Sequence, residues 1–283
     1  NGNEAVALAA IDCHVDLGCG YPGTPSSEIL DEFARLGGSA EWAPNEKAAL
    51  EVAIGCAYAN GRSLVTMKHV GLNVAADPLM TLAYVGCVGG FVAVVADDPG
   101  MNSSQNEQDT RQFARFAKVP VFEPADAAEA KAFTLAAFEI SEKFGTPVIL
   151  RTTTTTSHSR GVVELADPIA LNRTPSFQKD PKRFVPIPAW AREMRVRLEE
   201  RLEKLEEAAR SVPVQCRIFP LDLTEDESYR KLAGYTAKIN PDIRLLINNS
   251  GCGFLGNVGE GELSNQTAMI DLNLKGLTAV THT

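Results

Sequence analysis

The chain has no Cys-x-x-Cys pair, no long apolar run and no surplus of basic charge, and each absence removes a class of function. Its six cysteines, Cys13, Cys19, Cys56, Cys87, Cys216 and Cys252, are scattered, whereas iron–sulfur and structural zinc sites need closely spaced thiolates. Buried free thiols in a reducing compartment are the simpler reading. No stretch of about eighteen apolar residues occurs, the length at which a helix could span a bilayer. Lysine and arginine total 27 against 36 aspartates and glutamates, a formal net charge of −9. That balance argues against a nucleic-acid or anionic-membrane surface as the main partner. The first residues, NGNEAVALAAIDC, carry Glu4 and Asp12 but no basic n-region. They read as a helix, not as a secretory signal, and a cytoplasmic location is expected. With 45% hydrophobic and 22% charged residues over 283 positions, the chain has the composition of a globular protein of one large or two ordinary domains.

What is present alternates. Helical sequence over Glu46–Asn60 ends at Gly61, placed as a C′ glycine. Its inward face is expected to be Ala49, Val52, Ala53 and Cys56. Strands are predicted at Ser63–Met67, Phe91–Ala96, Val119–Phe122 and Pro147–Thr152. Helices are predicted at Asn73–Tyr84 (with Pro78 near its first turn), Arg111–Lys118 and Ala125–Phe144. Strands separated by helices of this length imply βαβ units and a parallel sheet. The run FVAVVA at 91–96 is the β-branched pattern of a strand buried on both faces. Thr152–Thr156 reads as strand end and turn. Residues 158–189 lose periodicity and are rich in proline, as a linker or extended arm would be. Ala189–Arg210 interleaves acidic and basic side chains with Met194, Leu198, Leu202 and Leu205 at helical spacing, a solvated helix with one apolar stripe.

Two elements carry chemistry. GYPGTPSSEI at 20–29 is a rigid turn after an apolar run, at the carboxyl end of a strand, where open α/β sheets bind ligands. Glu46 opens the Ala-rich helix, and a first-turn carboxylate serves either the helix dipole or a ligand. Together, at this spacing, they resemble the pyrimidine-binding domain of thiamine-diphosphate 2-oxoacid:ferredoxin oxidoreductases, most closely the large subunit of the indolepyruvate enzymes. The resemblance runs from about residue 1 to about 205. It implies that Glu46 is the carboxylate beside the aminopyrimidine ring, with Gly55 nine residues on where a backbone must approach closely. It places Thr24 on the substrate-carboxylate side, although Thr24 also suits an ordinary turn. Lys68 and His69, in TMKHVGLNVAADPL, become candidates for substrate or cofactor contact. The loop DDPGMNSSQNEQDTR at 97–111 falls near the active site and subunit interface, unless its polar residues cap a helix, with Ser104 or Asn106 as N-cap. The implied reaction is oxidative decarboxylation of an aryl 2-oxoacid, with CoA and ferredoxin as partners, in a homo- or hetero-oligomer. The diphosphate- and magnesium-binding domain with its Gly-Asp-Gly signature and the cysteine-rich ferredoxin segment do not occur here. Magnesium and iron–sulfur clusters are therefore expected only in the complete enzyme, and this chain alone is expected to be inactive.

From about Val212 the sequence instead resembles short-chain dehydrogenases/reductases, through PLDLT (220–224), LLINNSG (245–251) and MIDLNLKG (269–276). The resemblance marks Asp222, Asn248, Gly251 and Asn273 as vestigial nicotinamide-cofactor positions. No TGxxxGIG loop precedes the segment and no Tyr-x-x-x-Lys pair follows, so NAD(P) binding is not expected. The expected organisation is an α/β parallel-sheet pyrimidine-type domain at 1–157, a linker and charged helix at 158–210, and a partial Rossmann fragment at 211–283. A non-catalytic chimeric or truncated protein is the alternative, its junction natural, engineered or an assembly error.

Overall fold

The computed structural model describes residues 1–165, 174–210 and 230–231. Contacts divide the chain into two units, Asn1–Val212 and Pro213–Thr283. The first unit holds, in order, α1 (Gly2–Asp12), β1 (Leu17–Gly20), α2 (Ser27–Arg35), β2 (Ala40–Trp42), α3 (Glu46–Tyr58), β3 (Ser63–Lys68), α4 (His69–Val74) and α5 (Ala76–Val85). It continues with β4 (Phe91–Asp97), α6 (Thr110–Ala117), β5 (Val121–Phe122), α7 (Ala127–Phe144), β6 (Val148–Thr153), α8 (Thr154–His158), α9 (Pro181–Phe184) and α10 (Pro188–Arg210). The strands form one parallel sheet in the order β2-β1-β3-β4-β6-β5.

Alternation along each strand splits the apolar residues between two layers. Val65, Met67, Ala93, Val95 and Ile149 pack with α3, α5 and α6, while Leu64, Val92, Val94, Val148 and Leu150 pack with α1, α2 and α7. Every residue of β3 and β4 is buried, as the continuous β-branched run of β4 required. The glycines of LGCG in β1 answer to close packing: a Cβ at Gly18 would lie 2.9 Å from Leu30 and Phe33, and one at Gly20 2.7 Å from the Thr66 hydroxyl. Helix α7 starts on the Asp126 carboxylate, which accepts from the Glu129 N–H, and ends at Gly145 with φ 61°. Lys131 of α7 and Asp12 of α1 form a buried ion pair at 2.9 Å.

Several boundaries differ from expectation, each for a local reason. Helix α2 was not expected although Ile29, Leu30 and Phe33 give it one apolar face, whereas the three-residue edge strand β2 has no alternation to announce it. The helix expected over Asn73–Tyr84 is two, α4 and α5, divided at Ala75; Pro78 sits in the first turn of α5, where its missing N–H costs nothing. Helix α3 ends at Tyr58, and Asn60 rather than Gly61 takes the left-handed conformation, at φ 63°. Gly61 answers to proximity, since a Cβ there would be 2.5 Å from Cys56 Sγ. The buried face of α3 is Ala49, Leu50, Ala53 and Ala57; Val52 is 42% exposed and Cys56 half-buried. The run Thr152–Thr156 ends β6 and opens α8.

Burial pushes the thiols of Cys13, Cys19 and Cys87 up to about 12, which makes them poor nucleophiles. Among residues 174–210 the chain is docked on the sheet domain. Ser176 N–H donates to the Ala59 carbonyl at 2.6 Å, and the Phe184 ring lies 4.7 Å from that of Tyr58. Met194 and Leu198 bury the apolar stripe of α10, which packs on α5. None of the described helices is long and apolar enough to cross a membrane.

Candidate active site

The order β2-β1-β3 places the reversal of connection direction between β1 and β3, and ligands in open α/β sheets bind outside the carboxyl ends of strands at that point. Three segments meet there. The first is the turn after β1. Gly23 C=O accepts from the backbone N–H and the hydroxyl of Ser26, both at 2.8 Å, and the Ser27 hydroxyl accepts from Gly23 N–H at 2.7 Å. Asn3 of α1 donates to the Pro25 carbonyl at 2.8 Å, and the Thr24–Pro25 bond is cis. The frame is tied at both ends, and Thr24 stands exposed at its tip.

The second segment is the start of α3. The Ala43 N–H, just past β2, donates to Gly20 C=O at 2.9 Å, which carries the chain across the end of β1. Asn45 then caps α3 by accepting from Ala48 N–H at 2.9 Å, leaving Glu46 as the first helical residue. The third segment is α4, which begins directly after β3. Its Gly71 faces Glu46: a Cβ at 71 would lie 2.4 Å from Glu46 Oε1 and 2.6 Å from its Cγ. Glu46 is half-buried, and its carboxylate has no hydrogen-bond or ion-pair partner among the described residues. A first-turn acid whose only task was the helix dipole would need no glycine beside it.

Of the residues singled out from sequence, the structure gathers Glu46, Thr24 and Lys68 at this crevice. Lys68 is buried and runs past the turn, its Cβ 3.2 Å from where a Gly23 side chain would begin, and its ammonium donates to the Ser103 carbonyl. His69 is turned inward and 1% exposed. Its Nδ1 lies 3.4 Å from the Ala96 carbonyl and its Nε2 3.1 Å from the Asn106 carbonyl, so the ring joins the end of β4 to the following loop. Nothing in the described chain comes within 4 Å of a Cβ at Gly55, which is exposed; the close approach to a glycine is at Gly71. Asp222, Asn248, Gly251 and Asn273 lie outside the described residues.

The loop after β4 holds what sequence reasoning missed. Asp97 and Asp98 point to different tasks. Asp98 gathers the Ser104 hydroxyl at 2.5 Å, Ser103 N–H at 2.8 Å, the Thr154 hydroxyl at 2.9 Å and Asn102 N–H at 3.2 Å. Those donors, Ser104 first, hold its carboxyl well below the usual carboxylate range. Asp97 is fully buried and accepts from the Thr110 hydroxyl, from Thr110 N–H at 3.1 Å and from Arg151 Nε at 2.6 Å. Arg151 in turn pairs with Glu123. The N-cap of α6 is therefore Asp109, not Ser104 or Asn106: those sit in the loop that Asp98 and His69 organise. The doubled aspartate before Pro-Gly was the signal available.

Comparison with known proteins gives the family. Residues 8–212 match the family model described as "Pyruvate flavodoxin/ferredoxin oxidoreductase, thiamine diP-bdg". The chain belongs to this family. The matched segment ends where the first structural unit ends, at Val212. The indolepyruvate oxidoreductase subunit IorA of Archaeoglobus fulgidus is 49% identical over 214 residues, 72% of this chain and 34% of the relative. The subunit of the same name from Thermococcus kodakarensis is 48% identical over 221 residues, 75% of this chain and 34% of the relative. The chain thus spans about a third of the length of these relatives. A ketoisovalerate oxidoreductase subunit VorB, from Methanothermobacter thermautotrophicus, is 30% identical over 53% of this chain and 46% of its own length. Among solved structures, a 2-oxoglutarate:ferredoxin oxidoreductase from Magnetococcus marinus superposes with a TM-score of 0.59 at 17% identity, over 78% of this chain and 46% of that one, a likeness of fold.

The crevice fits the pyrimidine half of a thiamine diphosphate site. It offers a carboxylate without a partner among the described residues, and a glycine that keeps the space beside that carboxylate clear. Among the described residues no group of three or more His, Cys, Asp and Glu is placed to hold a metal ion.

Proposed function

We propose that this chain carries the pyrimidine side of the active site of a thiamine-diphosphate-dependent 2-oxoacid:ferredoxin oxidoreductase acting on an aryl 2-oxoacid such as indolepyruvate. The observation that carries the proposal is the unpartnered Glu46 carboxylate against Gly71 at the β1–β3 crevice. The aryl preference is supported by the name that the two relatives near half identity share. CoA and ferredoxin are the expected co-substrate and electron acceptor of the complete enzyme, and a further domain, in a partner chain or a longer one, would bring magnesium and bind the diphosphate.

Bound in the crevice, the cofactor would supply the electron sink that decarboxylation requires. This chain's own residues act around it. Glu46 would hold a proton at its carboxylate for sharing with the aminopyrimidine ring, the arrangement by which such a carboxylate supports base chemistry. Gly71 leaves no side chain to displace that carboxylate. The exposed Thr24 hydroxyl would receive the substrate carboxylate, with Lys68 behind it adding positive charge. The test is Glu46→Gln in a complete enzyme containing this domain. Glutamine keeps the shape but cannot share the proton, so hydrogen–deuterium exchange at the thiazolium C2 should fall by about two orders of magnitude or more, with the unfolding midpoint unchanged. Near-normal exchange would remove Glu46 from the chemistry.

A further inference from the structure

At the opposite end of the sheet, where β4 and β6 begin, α9, α10 and the ends of α5 and α7 border an open pocket of about 450 Å³. Lys182, Arg183, Arg197 and Arg201 line it, with Asp180 and Glu193. Among the described residues none of the four basic groups lies within ion-pair distance of a carboxylate, although α10 pairs Arg195 with Glu199 and Lys118 with Glu199 one turn away. Two of the guanidiniums are held in place by backbone. Arg201 donates through Nη1 to Gly145 C=O at 3.0 Å and through Nη2 to Ala83 C=O, and Arg183 Nη2 donates to Cys87 C=O at 3.0 Å. The same Arg201 guanidinium forbids a side chain at Gly86, where a Cβ would lie 2.3 Å from Nη1.

The fixing is expensive. Arg201 Nε is buried with no hydrogen-bond partner among the described residues, and an unmet buried donor on an unneutralised charge is destabilising. Burial, with Arg197 and Arg183 adding to it, pulls the Arg201 guanidinium below its ordinary range. An anion in this pocket would relieve that repulsion, and preorganised guanidiniums are suited to phosphate oxygens. A second hollow of about 210 Å³ adjoins the first and shares Asp180 and Arg183 with it. It is lined by Tyr58, Asn60, Ser176 and Phe184, and Phe184 also meets Phe177 at 5.4 Å. An aromatic platform with amide and hydroxyl groups beside a cationic pocket suits a planar group attached to a phosphate chain.

We propose that this pocket binds a diphosphate-bearing anion, at a site separate from the Glu46 crevice. The chemistry is shared by an inorganic diphosphate and a nucleoside diphosphate, and the experiment separates them. The 283-residue protein is titrated with pyrophosphate and with ADP at constant ionic strength, read by calorimetry and by thermal shift, with sulfate as reference. A saturable rise in midpoint with pyrophosphate is expected, because binding to the native state stabilises it by mass action. Both Lys182 and Arg197 are exposed, so K182E/R197E should fold normally and weaken binding about tenfold or more. Glu46→Gln should leave it unchanged, which separates this site from the crevice. Tighter binding of ADP that Phe184→Ala abolishes identifies a nucleotide; equal binding identifies the bare diphosphate. No saturable response beyond that of sulfate, or an undiminished response in K182E/R197E, overturns the proposal.

Discussion

Two halves of one sheet edge treat their polar groups in opposite ways. Beyond β4 and β6, Asp97, Asp98, Arg151 and His69 find their partners within the chain, and the loop from 98 to 109 is built on those bonds. Beyond β1 and β3, Glu46 is left without a partner among the described residues and Thr24 is exposed, although the backbone beneath them is tied as firmly as in the other half. Buried polar groups are normally satisfied, so a satisfied group reports on the frame. A functional group held rigidly and left unsatisfied reports on a missing ligand. Lys68 belongs to both halves. It rises from β3 beside the Gly23 turn, yet its ammonium is fixed by a carbonyl of the Asp98 loop.

If the β4–β6 half is frame, breaking it should cost stability before it costs chemistry. The largest effect is expected for Asp97→Ala. Arg151 is 7% exposed and would keep its two outer partners, Glu123 and, at 3.8 Å, Asp109, both far more exposed than Asp97. Removing one member of a buried pair costs about 3–5 kcal/mol, and the two remaining carboxylates put Asp97→Ala at the lower end, about 3 kcal/mol. For a unit of this size that is a fall of about 10 °C in the unfolding midpoint, read by calorimetry. A fall of only a degree or two would mean that the Asp97–Arg151 pair is ornament and that the two halves do not differ in this way.

A smaller effect is expected from acid. Asp98 is held below its ordinary range, so its native state binds a proton less readily than the unfolded chain does. Its contribution is complete above the unfolded carboxylate value of about 4 and fades as pH falls through the native one. Denaturation midpoints measured downward from pH 5 should therefore decline below about pH 4 less steeply in Asp98→Asn than in the parent, because that variant has no proton to gain at 98. Parallel declines would show that Asp98 is not a main source of the acid sensitivity.

The contrast also explains what could be read without coordinates. β4 was legible because a strand buried on both faces is apolar throughout, and α7 because eighteen residues carry a helical period between an aspartate cap and a glycine. β2 was not, since three exposed edge residues, Ala40–Trp42, carry no alternation. Glu46 and Thr24 were visible because their neighbours, Pro-Gly-Thr-Pro and an Ala-rich helix, are unusual in sequence. The partners of Asp98 were not: Asn102, Ser103 and Ser104 follow it closely but turn back on it through a loop with no period of its own, and Thr154 meets it only once β4 and β6 pair. Gly71 was missed for the same reason. Its constraint comes from Glu46, 25 positions earlier, and nothing local distinguishes it from any other glycine in a helix.

Gly71 gives the finest test of the comparison, because stability and chemistry should move apart. Gly71→Ala places a methyl group 2.4 Å from Glu46 Oε1. The clash falls on the end of a flexible side chain, which can swing away with no rearrangement of backbone. Alanine is also the better helix former, by about 1 kcal/mol in an unhindered helix, so the midpoint should stay level or rise slightly. The carboxylate, however, can no longer stand where the crevice holds it, and proton sharing falls steeply with distance. In a complete enzyme containing this domain, C2 exchange should drop by about tenfold or more while folding is untouched, and Glu46→Asp/Gly71→Ala, with a shorter acid beside the larger residue, should recover part of the loss. An equal loss of stability and exchange would make Gly71 a packing residue, and would place the β1–β3 end with the frame.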